Sequence, residues 1–373
     1  MDLQVCAFTD TYLPTVNGVT YTIKSWRDGW CANGGEMDIV YPSAIGFEPD
    51  EDEHPVKSIS FPFYEGYRVG LPTIPKSVNG VDIVHAHTPF CLGLTARRHA
   101  KRHDAPVVAS YHTPTGEYTS YLAPFDPLAK SLSRVSIGYE RWFFSRADVV
   151  TAPTATAASY LRENIGIDKE IHIVSNGVDL ETFTPRDVST FEHTYDLPTS
   201  PRIGYTGRHG HEKNLEEVVK AVARGPDDWS LVLGGEGPAT DSLRELADRL
   251  DIDVTFLGFL DRDELPLLYS SLDVFAFPSP IETQGLVALE SIACGTPVVG
   301  VDGGALAETI VNGVTGYHYE AGDIDGFIEA IERALDDRAY LHEQCLDYRS
   351  ELGLERSIAS LEQVYEIALN GVE

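Results

Sequence analysis

Short apolar runs alternate with helix-length amphipathic stretches along this chain, and the alternation starts twice. In the first half the runs are Leu3 to Phe8, Met37 to Tyr41, Asp82 to His87, Pro106 to His112, Asp148 to Pro153 and Ile171 to Ser175. In the second they are Arg202 to Thr206, Ser230 to Leu233, Asp253 to Leu257, Asp273 to Phe277 and Pro297 to Val301. Strands this short and apolar, spaced by helices, suit a parallel sheet covered on both faces. The pattern therefore predicts an α/β fold with two doubly wound parallel-sheet domains. Such sheets take ligands at the carboxyl ends of their strands, here in a cleft between the two halves. A first domain is expected over 1–180 and a second over 201–350. Residues 181–200 read as a linker, because Asn176 to Pro201 collects Gly177, Pro185, Pro198 and Pro201. Ala339 to Leu369 reads as helical, and 351–373 is expected to pack back on the first domain. Phe47 to Val56, acidic and proline-containing, reads as a solvated loop.

Bulk properties remove several functions. No run approaches the ~18 apolar residues of a membrane span. The start, Met1-Asp-Leu-Gln-Val, has no basic region, so no secretory signal is expected. The five cysteines are scattered, which argues against a disulfide framework or zinc site and for a reducing cytoplasm. A net charge of -30 excludes a simple nucleic-acid binder. Only 8 of the 28 basic residues are Lys. High acidity with little Lys reads as a halophilic composition, in which salt screens self-repulsion. Residues 91–146 run the other way, with 8 basic and 4 acidic side chains. Within them, Tyr121 to Arg146 interleaves Lys130, Arg134, Arg141 and Arg146 with Trp142, Phe143 and Phe144. That stretch reads either as a helix lying on an anionic bilayer or as a domain helix with its aromatics in the core.

Pro278 to Gly304 holds the densest chemistry. Pro278 and Pro280 stop the preceding strand. Thr283 is placed as an N-cap with a helix from Gln284, ended by Gly295 and Pro297. Glu282 precedes this helix and Glu290 lies inside it. The amides of Gln284, Gly285 and Leu286 sit at the helix N-terminus, where an anion is favoured. Glu290 is about 7 Å along the axis, at ~1.5 Å per residue. A diphosphate on the amides then places a ribose near Glu290 and a further group near Glu282, which suits a nucleotide-activated sugar. After Thr206, the run Gly207-Arg-His-Gly-His-Glu-Lys-Asn sets Arg208 and Lys213 around a glycine turn. Two fixed cations there suit a diphosphate leaving group, and Asn214 is expected to cap the next helix.

His85 and His87 share one face of a strand end. Tyr111-His112-Thr113 ends the next strand, and Asn17-Gly18-Val19 follows the first, with Gly18 permitting close backbone approach. No carboxylate accompanies the histidine pair as a third ligand, so no metal is predicted. The Asp-x-Asp pairs at Asp50/Asp52, Asp251/Asp253, Asp261/Asp263 and Asp323/Asp325 read as background in an Asp-rich chain. Asp261 or Asp263 is expected to start a helix over Glu264 to Ser270. Gly234-Gly-Glu-Gly-Pro does not meet the dinucleotide pattern.

The Glu282/Glu290 pair, flanked by Phe277-Pro-Ser, Gly285-Leu-Val-Ala-Leu-Glu and Cys294-Gly-Thr-Pro-Val, resembles the retaining two-domain (GT-B) glycosyltransferases of family four. The resemblance spans nearly the whole chain and is densest from Arg202 to Gly316. It implies two Rossmann-like domains, the first for acceptor and the second for nucleotide sugar. It implies that Glu282 contacts the donor sugar's hydroxyls, Glu290 the ribose, and Arg208 and Lys213 the diphosphate. The family's glycine loop near Gly18 touches the donor phosphate, though Asn17 stands here where a second Gly is common. Gly207, Thr283, Gln284, Gly285 and Leu286 complete the donor set. His87 is assigned the sugar's primary hydroxyl. His112, with Tyr111, resembles a histidine of lipid-sugar transferases and is assigned to the acceptor. The implied donor is a UDP- or GDP-linked sugar, with no cofactor and no essential metal. Asn17-Gly-Val, Asp82 to Phe90 and Tyr111-His-Thr look most like members that glycosylate diacylglycerol or phosphatidylinositol. Hexosyl transfer to a membrane lipid or lipid carrier at the cytoplasmic face is expected, with a polysaccharide or soluble acceptor second. A GT-B sugar-nucleotide epimerase and a non-catalytic nucleotide-sugar sensor are the readings from other classes.

Overall fold

A computed structural model describes residues 3–61, 67–78, 80–113 and 126–371. The chain divides into two units: Met1–Asn176 together with Leu354–Glu373, and Gly177–Gly353.

The strands of unit 1 are β1 (Gln4–Phe8), β2 (Glu36–Pro42), β3 (Glu53–Val56), β4 (Ser58–Ser60), β5 (Arg68–Gly70), β6 (Ile83–Ala86), β7 (Val107–Ser110), β8 (Val149–Ala152) and β9 (Ile171–Ile173). Seven of them form one sheet in the order β3-β2-β1-β6-β7-β8-β9, paired in parallel throughout. β4 and β5 make a small antiparallel ribbon. The two-residue period of a strand divides β1 between two cores. Val5 and Ala7 share one with Trp26 and Trp30 of helix Gly18–Ala32 and with Ile358, Leu361 and Tyr365 of helix Leu354–Asn370. Cys6 and Phe8 share the other with Leu92 and Ala96 of helix Cys91–His103 and with Phe143 and Phe144 of helix Asp126–Phe144.

Unit 2 repeats the plan with β10 (Arg202–Thr206), β11 (Ser230–Gly234), β12 (Val254–Gly258), β13 (Val274–Phe277), β14 (Val298–Val301) and β15 (Gly316–Tyr319). Their order is β12-β11-β10-β13-β14-β15, again all parallel. Every residue of β13 and β14 is buried, as expected of strands covered on both faces. The winding direction reverses between β1 and β6 in unit 1, and between β10 and β13 in unit 2. Loops diverge at such a reversal and leave a ligand-sized crevice at the strand carboxyl ends. The motifs singled out in the sequence fall at these two places. Asn17-Gly18 and His87 follow β1 and β6, and Arg208–Lys213 and Glu282 follow β10 and β13.

Three segments differ from the sequence reading. Residues 181–200 are not a free linker: Phe183, Phe191 and Leu197 are buried in the core of unit 2, and Ser189–Thr194 is helical. The long C-terminal helix is two helices, Arg338–Leu352 and Leu354–Asn370, broken at Gly353, which bridges to Val178. The acidic loop ends in the edge strand β3, with Glu53 only 4% exposed. The Tyr12 hydroxyl donates to the Glu53 carboxylate at 2.9 Å, and Arg27 lies 3.6 Å from it and 2.7 Å from Asp28. One buried cation thus pins a segment whose composition reads as solvated. β3, β4, β5 and β15 escape the alternation pattern because none is an apolar run: they read Glu53-His-Pro-Val, Ser58-Ile-Ser, Arg68-Val-Gly and Gly316-Tyr-His-Tyr.

Candidate active site

In unit 2 the chain leaves β10 at Gly207, whose φ of +140° suits glycine. A single 3-10 turn, His211–Lys213, follows and ends at Asn214 in the left-handed conformation. Asn214 therefore does not cap the next helix, Glu216–Arg224, which starts from Leu215 without a side-chain cap. The Arg208 guanidinium donates to the Glu212 carboxylate four residues on. Lys213 reaches the other loop of the reversal, with Nζ 2.5 Å from Oε1 of Glu282. Burial raises the Glu212 carboxyl above its ordinary range. The two loops are thus tied by alternating charges, and the structure brings Arg208, Lys213 and Glu282 together.

The helix after Glu282 begins at Leu286, not Gln284, and Gly285 rather than Thr283 stands at its N-cap. Gly285 has φ +81°, and a Cβ there would meet Leu306 Cδ2 and Phe277 Cε1 at 2.9 Å. Glycine's backbone freedom starts this helix, and no side chain caps it. Glu290 is 1% exposed. Arg262 Nη1 donates to it at 3.0 Å and the Tyr269 hydroxyl at 2.8 Å. Burial raises its pKa against both donors. Both carboxylate oxygens are therefore engaged within the protein, which the sequence reading did not foresee. Arg262 also lies over the Phe183 ring, 4.8 Å from its centre. It was passed over between Asp261 and Asp263, and neither of those caps helix Leu265–Ser271. Glu264 stands at that N-cap and accepts the Asp261 amide at 3.0 Å. The available signal was Glu290 itself, since a carboxylate on a buried helix face needs donors.

In unit 1, Asn17 caps helix Gly18–Ala32 by accepting the Thr20 amide at 2.9 Å. A Cβ at Gly18 would meet none of the described residues within 4 Å. His85 and His87 stack with ring centres 4.0 Å apart, and His112 stacks on His87 at 5.2 Å. His87 Nδ1 and His112 Nε2 are 3.0 Å apart. The Tyr365 hydroxyl at 2.8 Å and Ser110 at 2.7 Å hold His85. Burial lowers the His85 pKa to about 3 and that of His112 to about 4. Burial and its two histidine neighbours hold His87 well below its ordinary value, and its Nε2 is buried without a hydrogen-bond partner among the described residues. Tyr111 lies in the core against Phe144, 2% exposed. Asp10, unmarked in the sequence, ties this reversal: its carboxylate accepts the Thr88 hydroxyl at 2.7 Å and the Leu92 amide at 3.0 Å. Burial lifts its pKa to about 6. Among the described residues, no group of three or more His, Cys, Asp or Glu is arranged to hold a metal.

Of the basic aromatic stretch, Tyr121 lies outside the described residues. Phe143 and Phe144 are core, whereas Trp142 is 40% exposed. The Arg97 and Arg146 guanidiniums lie 5.2 and 4.9 Å from the Trp142 ring centre. No described helix is long and apolar enough to cross a membrane.

Residues 193–351 match the family model described as Glycosyl transferases group 1, and residues 16–182 match Glycosyltransferase Family 4. The D-inositol 3-phosphate glycosyltransferase of Mycolicibacterium smegmatis is 31% identical over 300 residues, which cover 78% of this chain and 68% of that protein. The chain belongs to glycosyltransferase family 4. The transferase is also 29% identical, over 318 residues, to the alpha-monoglucosyldiacylglycerol synthase of Streptococcus pneumoniae, covering 80% of its own chain and 70% of that protein. It superposes on the crystal structure of Anabaena HepE in complex with UDP and glucose with a TM-score of 0.73 at 18% identity, covering 97% and 98% of the two chains. That likeness makes the fold of the transferase GT-B. Family, fold class and enzyme class agree with the sequence reading.

Proposed function

We propose that this transferase moves a hexosyl group, with retention of configuration, from a UDP- or GDP-linked sugar to a hydroxyl of a membrane lipid or lipid carrier. The Lys213–Glu282 pair at 2.5 Å across the unit 2 reversal, with Arg208 in the same turn, carries this reading. Arg208 and Lys213 exchange their carboxylate partners for diphosphate oxygens, and the amides of Gln284 to Leu286 join them. Glu282, released, takes the donor sugar's hydroxyls. Glu290 yields its Arg262 contact to the ribose, and His87 keeps the role expected of it. The acceptor oxygen attacks the anomeric carbon on the face the diphosphate leaves. The bond to phosphate breaks as the glycosidic bond forms, and the acceptor's proton passes to the departing phosphate oxygen. The cations neutralise the charge that develops there, so turnover is expected to survive chelation of divalent metal.

The name of the streptococcal relative supports a lipid acceptor. That of the mycobacterial relative supports a soluble inositol phosphate as the second choice. Trp142, exposed between two arginines, supports contact with an anionic bilayer at the cytoplasmic face. A panel of UDP- and GDP-sugars, incubated with and without lipid extract, tests the proposal. Nucleoside diphosphate release coupled to glycolipid formation is the expected result. Conversion of a donor with no acceptor present marks an epimerase, and tight binding without turnover marks a sensor; either outcome sinks it.

A further inference from the structure

His209 adjoins Arg208, yet the chemistry above does not use it. It is fully buried and is held by four hydrogen bonds, all to the segment that runs from Gly234, the last residue of β11, to Thr240. Its amide donates to Glu236 O at 3.0 Å and its carbonyl accepts the Ala239 amide at 2.8 Å. Its Nε2 lies 3.1 Å from Gly234 O and its Nδ1 3.0 Å from Thr240 Oγ1. A carbonyl only accepts, so Nε2 carries the proton and Nδ1 accepts from the Thr240 hydroxyl. The Thr240 oxygen accepts in turn from the Gly237 amide at 3.0 Å. Donation therefore runs one way, from Gly237 to Thr240 to His209 to Gly234, and selects one tautomer. Two glycines make the approach feasible. A Cβ at Gly235 would lie 2.0 Å from Gly207 O, and one at Gly237 would lie 2.6 Å from His209 O. Burial keeps the imidazole neutral, so it adds no charge to the site.

We propose that His209 is a positioning residue for diphosphate binding. It keys the turn bearing Arg208 and Lys213 onto the Gly234–Thr240 loop, so that the two cations meet the phosphates at a fixed spacing. The inference rests on the diphosphate role given to those cations above.

The full-length protein is titrated with UDP, GDP, uridine and guanosine, as wild type and as His209→Leu, His209→Gln, Thr240→Val and the His209→Leu/Thr240→Val double variant. His209→Leu is expected to bind the nucleoside diphosphate about tenfold more weakly, the effect of one buried hydrogen-bond link. Donor KM rises in step, kcat changes less, and nucleoside affinity stays level. Thr240→Val reproduces the loss, and the double variant adds little to it, because both changes break one chain of bonds. His209→Gln, which donates and accepts like the imidazole, recovers part of the affinity. Unchanged diphosphate affinity in His209→Leu overturns the proposal. Equal losses for nucleoside and nucleoside diphosphate overturn it too, because they mark general loosening. If His209→Leu does not fold, Thr240→Val alone decides by the same two criteria. A wild type that binds neither UDP nor GDP overturns the donor reading, and this inference with it.

Discussion

Lys213 and Glu282, with side chains 16% and 14% exposed, form an ion pair at 2.5 Å in the free protein. In the proposed donor complex a diphosphate replaces one charge-assisted contact with another and does not meet a bare cation. On that proposal ground-state binding gains little from the exchange, while the ammonium stays aimed where leaving-group charge would develop. Lys213→Ala is expected to lower kcat/KM by about 10²–10³-fold, the effect of losing one donor to developing charge. Steady-state kinetics checks it, and a variant within about threefold of wild type removes Lys213 from the mechanism. Arg27 plays a structural part in unit 1. Arg27→Ala leaves Glu53, 4% exposed, without its cation, and removal of one partner from a buried pair costs about 3–5 kcal/mol. Urea denaturation reads that cost. The Tyr41 hydroxyl also donates to Glu53, at 3.5 Å, and a loss under about 1 kcal/mol means that the hydroxyls of Tyr12 and Tyr41 suffice to hold the carboxylate.

The helix Leu286–Ala293 owes its start to one glycine. Gly285→Ala puts a Cβ 2.9 Å from Leu306 Cδ2 and Phe277 Cε1 in a left-handed backbone. The strain is of order 1–3 kcal/mol, and a displaced first turn moves the amides beside Glu282. A lower melting temperature together with a raised donor KM is the expected result; a neutral substitution contradicts the capping argument. The histidine stack at the carboxyl ends of β6 and β7 makes this part of the sheet acid-sensitive. His85 at about 3 and His112 at about 4 lie below the ordinary value of 6.5, with His87 lower as well. The unfolded chain then binds more protons, so stability is full above about 6.5 and falls as pH drops below it. Asp10, raised from 3.8 to about 6, acts oppositely, losing stability as pH rises through that interval. At this reversal three imidazoles stand against one carboxyl; elsewhere burial lowers His99 and His209 and raises Glu212 and Glu290, two against two, so the melting temperature should drop between pH 7 and pH 5, and drop further in Asp10→Asn. An equal or higher melting temperature at pH 5 refutes this account.

The whole molecule carries a net charge of -30, and residues 185–373 hold 36 acidic against 13 basic side chains. Self-repulsion on that scale weakens with ionic strength, so the melting temperature is expected to climb from dilute buffer to molar KCl. A flat or falling curve across a salt series leaves the acidity without a halophilic explanation. Much of the architecture was legible in the chain itself. Apolar runs such as Val274-Phe-Ala-Phe and Val298-Val-Gly-Val declare strands buried on both faces, because strand period and helix caps act over a few residues. Parallel pairing then obliges every strand-end motif to lie at one edge of its sheet, so the placing of Arg208, Lys213 and Glu282 at the ends of β10 and β13 is legible in the sequence. Tertiary structure alone decided which side chains meet there. Lys213 and Glu282 are 69 residues apart, Asp10 and Thr88 are 78 apart, and Arg262 finds Glu290 across 28. Such contacts depend on strand order and on loop paths between non-adjacent segments, and local spacing encodes neither.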